Sequence, residues 1–349
     1  MGYKEEALDF LGVTKWHKLG YTGSGIKIMS DERVCNKAHP DVISPNGFKS
    51  DWTHGDDVMV HIKIIAPDAT FIAYPFSGSF HSDTYNCKCA EYIIENNVLI
   101  FTTSSLSSSI NAGKEKAMQD CIDSGCIFFT AAGNQGTQGI HGEAKSEKYL
   151  AIGGIKPYYN SKTRKYEWDK LSKTNYSSVG KELDYVTIAE ISNAVGTSFC
   201  SPVFASMCGL VQQFFILKAN RPLTRAEMIL FISDNLIDVD ASGFDKNTGR
   251  GIFILPDPDT IDIKKYCKDY NADVITNEDT KEIINQNKKT IKLYIGNKNI
   301  TVNDKQIISD VAPFIKDGRT MVPLRIISEI FGYNVLWDGN TQEVKIISE

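Results

Sequence analysis

Three segments of this sequence carry side chains able to act together on an acyl group. Gly196-Thr197-Ser198-Phe199-Cys200-Ser201-Pro202 runs into an apolar stretch ending at Phe215, which predicts a buried helix with Ser198 at its start. A serine hydroxyl gains as a nucleophile there, because unpaired N–H groups and the helix dipole favour the negative charge that develops during attack. Gly196 leaves room for a substrate to approach. An ordinary N-cap serine followed by proline has the same local appearance. Thr130-Ala131-Ala132-Gly133-Asn134 follows the apolar run CIFFT, so a strand end would deliver the neutral amide of Asn134 toward a carbonyl oxygen turning negative. A plain Gly-Asn turn reads alike. His54-Gly55 precedes Val58, Ile62 and Ile65 at helical spacing, and an imidazole at a helix start can take a serine proton on one nitrogen while a carboxylate orients the other. Each signal alone also fits a bland residue; their occurrence in one chain points to acyl transfer.

The elements that must hold these residues are legible from Gly25 to about Leu255. Short apolar runs (IKIMS, ATFIAYPF, NVLIFTTSSL, GCIFFTAAG, YLAIGG, DYVTIA) alternate with helix-like stretches such as AEYIIENN, AGKEKAMQDCIDSG and SPVFASMCGLVQQFFILKAN. The alternation predicts an α/β fold with a doubly wound, mostly parallel sheet covered on both faces. Such sheets place their sites in loops beyond the carboxyl ends of strands. Polar PDPDTIDIKKYCKDYNADVITNEDTKEIINQNKK then reads as a connection. Beyond it IKLYI, NITVN, NVLWD and EVKII have strand composition, and VPLRIISEIFG reads as a helix ended by Gly332. The expected organisation is a large domain over 1–258, a linker over 259–290 and a small α+β domain over 291–349.

The 349 residues carry a net charge of -5, without the concentrated basic surface that a nucleic-acid binder needs. No run approaches the roughly 18 to 20 apolar residues of a membrane span, and the N-terminus has no signal-peptide core. The chain is therefore expected to stay in the cytoplasm as synthesised, with release by lysis left open. Eight cysteines without a secretion signal read as buried thiols, and none has the spacing of a zinc site.

In order along the chain, GYTGSGIKI, HPDV, HG, APDA, SSLSSS, AAGNQG, YLAIGG, SSVGKELDYVTIA and GTSFCSP resemble the subtilisin family of serine peptidases, over roughly residues 15 to 255. The resemblance implies a serine endopeptidase acting on polypeptides, with Ser198 as nucleophile, His54 as general base and Asn134 in the oxyanion hole. It also implies an acid at the end of the first strand, where ungapped counting lands on Glu32, with Asp31 one residue earlier. Strand alternation favours Glu32, which shares a face with Ile26, Ile28 and Ser30, while Asp31 falls with Lys27 and Met29. A glutamate is a departure from the family's aspartate, so the competing reading is a pseudopeptidase that binds peptides without cleaving them. Asp56-Asp57 stand where the family has Thr-His; they would raise the pKa of the base, hold a cation, or complement the helix dipole. By resemblance, Ser105-Leu106-Ser107 and Ala131-Ala132-Gly133 would wall the pocket before the scissile bond. No cofactor is expected; a calcium site is left open.

The segment from Asn299 to Ser348 resembles the copper amine oxidase N-terminal-like domain. All six histidines precede it, so it has no imidazole for copper. An attachment or interaction role, with a cell-envelope or protein target, is the expectation. The start of the chain, without a long segment before the catalytic region, resembles the intracellular branch of the family.

Overall fold

A computed structural model describes residues 3–34, 42–45, 51, 53–74, 83–104, 112–140, 142–189, 191, 194–270, 291–302, 305–316, 319–330, 333–339 and 341–348. The chain divides into two compact units, 1–274 and 275–349.

The first unit opens with helices α1 (Tyr3–Phe10) and α2 (Val13–Lys18). There follow β1 (Lys27–Ser30), α3 (His54–Ile65), β2 (Thr70–Ala73), α4 (Asp83–Glu95), β3 (Ile100–Thr103), α5 (Ala112–Asp123) and β4 (Ile127–Ala131). After these come β5 (Tyr149–Asn160), β6 (Lys165–Lys173), β7 (Tyr185–Ile188), α6 (Thr197–Ala219), α7 (Arg225–Asp234), β8 (Leu236–Ile237), β9 (Ile252–Phe253) and α8 (Ile263–Tyr266). The strands form a nine-stranded sheet in the order β2-β1-β3-β4-β5-β7-β9-β8, with β6 added antiparallel to β5. Every pair from β2 to β9 along that order is parallel. This is the mostly parallel α/β sheet read from the sequence.

Alternation along each strand divides the core in two. Ile28, Phe129 and Ile152 join α3 and α6 residues such as Val58, Ile62, Phe204 and Leu210 on one face. Met29, Phe101 and Phe128 join Ile93, Met118 and Cys121 of α4 and α5 on the other. The sheet is therefore covered on both sides, which explains the near-continuous apolar character of its central strands.

Helix α6 corrects one expectation. It has 23 residues and is apolar enough by length and composition to cross a membrane, although 89% of its most apolar window is buried inside the protein. A helix packed on all sides by sheet and helices is apolar all round for the same reason that a membrane helix is. Cys89, Cys121, Cys126, Cys200, Cys208 and Cys267 are free thiols, all but Cys89 buried.

Residues 259–270, expected at the head of a linker over 259–290, pack on the first unit. Tyr266 and Cys267 are buried, Arg221 pairs with Asp269, and Lys265 with Asp234. The polar composition concealed two apolar anchors spaced so that both face inward.

The second unit holds a three-stranded sheet of β10 (Ile291–Lys292), β11 (Asn299–Val302) and β12 (Lys305–Ile308), and two hairpins, β13 (Phe314–Lys316) with β14 (Arg319–Met321) and β15 (Tyr333–Asp338) with β16 (Glu343–Ser348). Helix α9 (Leu324–Ile330) packs on β15. This is the small α+β domain read from the tail.

Candidate active site

The site residues converge on the carboxyl ends of β1, β3 and β4 and on the starts of α3 and α6. Glu32 follows β1 and turns to the α3 face, where its Oε1 lies 3.0 Å from Nδ1 of His54. A carboxylate only accepts, so Nδ1 carries the proton of this bond and Nε2 is left as the basic nitrogen. The Glu32 side chain is 13% exposed and that of His54 45%. The hydrogen bond to Glu32 holds the His54 pKa above its ordinary value, aided by the charges of Glu32 and Asp57 and opposed by burial. Asp31, the other candidate acid, is buried on the opposite face and accepts from Thr103 Oγ1 at 2.7 Å. Strand alternation separates the two neighbours, and the carboxylate that meets His54 is Glu32.

His54 occupies the first position of α3, and the preceding Thr53 caps it. The Asp56 carboxylate accepts from the Thr53 backbone N–H and lies 2.8 Å from its hydroxyl, while that hydroxyl also donates to the carbonyl of Arg33. Asp56 is thus the return arm of a capping box. Gly55 is a steric requirement: a Cβ there would stand 2.1 Å from the Arg33 carbonyl oxygen and 2.8 Å from Glu32 Cβ. Glycine lets the first turn of α3 press on the backbone carrying Glu32.

Ser198 lies in the first turn of α6, half-buried. Pro202 stands inside this helix, beyond its first turn, and has no N–H to return to the carbonyl four residues earlier. That carbonyl is Ser198's, and Ser104, at the end of β3, donates its hydroxyl to it at 2.7 Å. The serine segment is thereby tied to the sheet. Ser198 Oγ and His54 make no hydrogen bond with each other among the described residues; such contacts commonly tighten only around substrate.

Asn134 is exposed at the turn after β4. Its Oδ1 accepts from Thr197 N at 2.9 Å and from Thr197 Oγ1 at 3.0 Å, while Gly133 N donates to the same hydroxyl at 3.0 Å. Two donors on the oxygen fix the amide, so Nδ2 is the end left for a ligand. Gly196 adopts φ 137°, and a Cβ on it would lie 3.4 Å from Asn134 Nδ2. Ala131, Ala132 and Gly133 are buried at the strand end, with Ala132 N bonded to Ile152 O and Gly133 O to Ser178 N. Ser105, Leu106 and Ser107, and His39, Pro40 and Asp41 of the HPDV motif, lie outside the described residues.

Four contributors escaped the sequence reading. Thr197 and Ser104 act through hydrogen bonds to partners far away in the chain. Phe199 sets its ring 5.4 Å from His54 and 4.7 Å from His61. The signal for His61 was its place two helical turns after His54, on the same face of α3.

Known proteins bear on this arrangement. Subtilisin NAT of Bacillus subtilis subsp. natto is 24% identical over 193 residues, covering 48% of this chain and 48% of the relative. A subtilisin of Bacillus pumilus is 23% identical, covering 48% of this chain and 66% of the relative. The chain thus spans about half the length of the first of these relatives. Among solved structures, a lanthipeptide protease superposes with a TM-score of 0.55 at 15% identity, over 71% of this chain and 91% of that one. The prenylagaramide maturation protease PagA gives 0.54 at 16% identity, over 74% and 98%. Residues 257–346 match the family described as copper amine oxidase N-terminal domain. That stretch contains no histidine. In sequence and in fold, the chain resembles the subtilisin serine peptidases, joined to a segment resembling the copper amine oxidase N-terminal domain.

Proposed function

We propose that the chain is a serine endopeptidase in which Ser198, His54 and Glu32 form the reactive triad. The observation that carries this reading is the Glu32–His54 bond at 3.0 Å, because it supplies an oriented base at the one place where the departure from aspartate threatened it. In the proposed reaction Ser198 Oγ attacks the peptide carbonyl carbon and gives its proton to His54 Nε2. Glu32 holds the Nδ1 proton and stabilises the imidazolium. The oxyanion takes hydrogen bonds from Asn134 Nδ2 and from the Ser198 N–H in the first turn of α6. His54 then protonates the departing amine, the C–N bond breaks, and an acyl ester on Ser198 remains. Water, deprotonated by His54, releases the acid and restores the serine. Ala131 to Gly133 would form one wall for the residue before the scissile bond.

The test is labelling of the full chain by a fluorophosphonate, with Ser198→Ala as control. Labelling lost in the variant supports the peptidase. An unlabelled wild-type chain that still binds peptides would replace this reading by the pseudopeptidase one.

A further inference from the structure

We infer that His61, outside the proposed triad, is a positioning residue: its buried ring stacks on Phe199 and through that ring fixes the plane of the His54 imidazole. The inference rests on the peptidase reading for its consequence and on independent geometry for its content.

His54 is poorly restrained by its own surroundings. Its side chain is 45% exposed, and the single bond to Glu32 fixes one ring atom while leaving the ring to swing about that contact. Its second support is the ring of Phe199, 5.4 Å away at 37°. Phe199 follows Ser198 directly, so the ring that supports the base is carried by the same helical turn as the proposed nucleophile. What fixes Phe199 is His61, stacked on it at 4.7 Å and 21°. The two rings are 6% and 1% exposed respectively.

Histidine suits position 61 better than another ring of similar size. Its Nδ1 lies 2.6 Å from the carbonyl oxygen of Asp57, and because that oxygen only accepts, Nδ1 must donate. This bond sets the plane of the ring, which leucine cannot do and phenylalanine can match only through packing. Burial also keeps the imidazole neutral, with His54 and Lys4 acting in the same direction and Asp57 against it. Neutrality matters when His54 accepts a proton, since a second cation behind Phe199 would oppose that step while the uncharged aromatic face favours it. The result is a chain of contacts running from Asp57 through His61 and Phe199 to His54, joining α3 to α6.

The experiment compares full-length wild type, His61→Leu and His61→Phe. It measures kcat and KM on a chromogenic peptide anilide, melting temperature, and the downfield proton resonance of the His54–Glu32 bond. His61→Leu should lower kcat about tenfold with KM changed less than about twofold, the cost of a misplaced catalytic group. The same variant should broaden or lose the downfield resonance. His61→Phe, which restores a ring, should recover most of the rate and the resonance. A leucine variant with wild-type kcat and an intact resonance overturns the inference, as does an equal loss in both variants. If the wild type fails to react with a fluorophosphonate, the peptidase reading fails, and the resonance alone still decides whether His61 positions His54.

Discussion

At the scale of single residues, Glu32 and Asp31 are adjacent carboxylates with opposite surroundings, and substitution separates them. Glu32→Gln keeps the size of the side chain but removes the charge that holds the Nδ1 proton, so kcat should fall by roughly ten- to a hundredfold, the range of a lost charge-assisted hydrogen bond of about 1.5–3 kcal/mol. Asp31→Asn should leave kcat within about threefold, because Asp31 meets Thr103 and not His54. The base works only when neutral, and Glu32 is the main cause of its raised pKa. The acidic limb of kcat/KM should therefore have its midpoint above the ordinary imidazole value of about 6.5 and move to lower pH in Glu32→Gln. A limb that stays in place would remove Glu32 from the mechanism. Glu32→Asp should lower the rate as well, since Gly55 seats the first turn of α3 against a backbone fitted to the longer side chain. Asn134→Ala should lower kcat far more than it raises KM, its amide being needed only once the oxyanion forms. Equal kcat in that variant would return Asn134 to the role of a turn residue.

Elements explain which of these residues could be read in advance. The face on which Glu32 lies was legible because strand alternation is a two-residue period, and the helix start at Ser198 because a long apolar run follows it; the local residues alone did not separate that serine from an ordinary cap. The fixing of Asn134 was not, since it depends on Thr197 from another element. The capping box was missed because its return arm is aspartate where glutamate or glutamine is the usual signal. Pro202 was read as part of an ordinary helix entry, whereas its effect is to free the Ser198 carbonyl for Ser104. Ser104→Ala should therefore leave that carbonyl without its donor, costing about 1–3 kcal/mol of stability. Melting temperature should fall by a few degrees and kcat should fall with it; an unchanged kcat would show that the tie to β3 is dispensable for chemistry. Restoring a backbone donor with Pro202→Ala in the same chain should recover part of the loss.

For the whole molecule, the question is where one unit stops. Residues 258–270 pack on the first unit through Tyr266, Cys267 and Asp269, and the first unit ends at residue 274. The match to the copper amine oxidase N-terminal domain begins earlier, at residue 257. Limited proteolysis should accordingly cut between 271 and 290 and release a fragment that retains fluorophosphonate labelling. A fragment cut there that no longer labels would show that the tail completes the catalytic fold. The division after residue 274 falls inside the linker expected over 259–290; charge and polarity dominate that segment in the sequence, and two buried side chains are enough to dock its first part.

Helix α6 touches β1, β3, β4, β5, β7 and α3, and it also carries Ser198. The layer over the central strands and the proposed nucleophile therefore arrive together, and only after more than half of the chain has left the ribosome. A nascent chain that ends before Ser198 holds His54 and Glu32 without the proposed nucleophile. On the peptidase reading proposed above, an unfinished polypeptide of that length has no nucleophile with which to cut itself. After dilution from denaturant, labelling competence should appear in the same slow phase as burial of Trp16, whose ring packs on Phe214 of α6, since such non-local pairing makes folding slow.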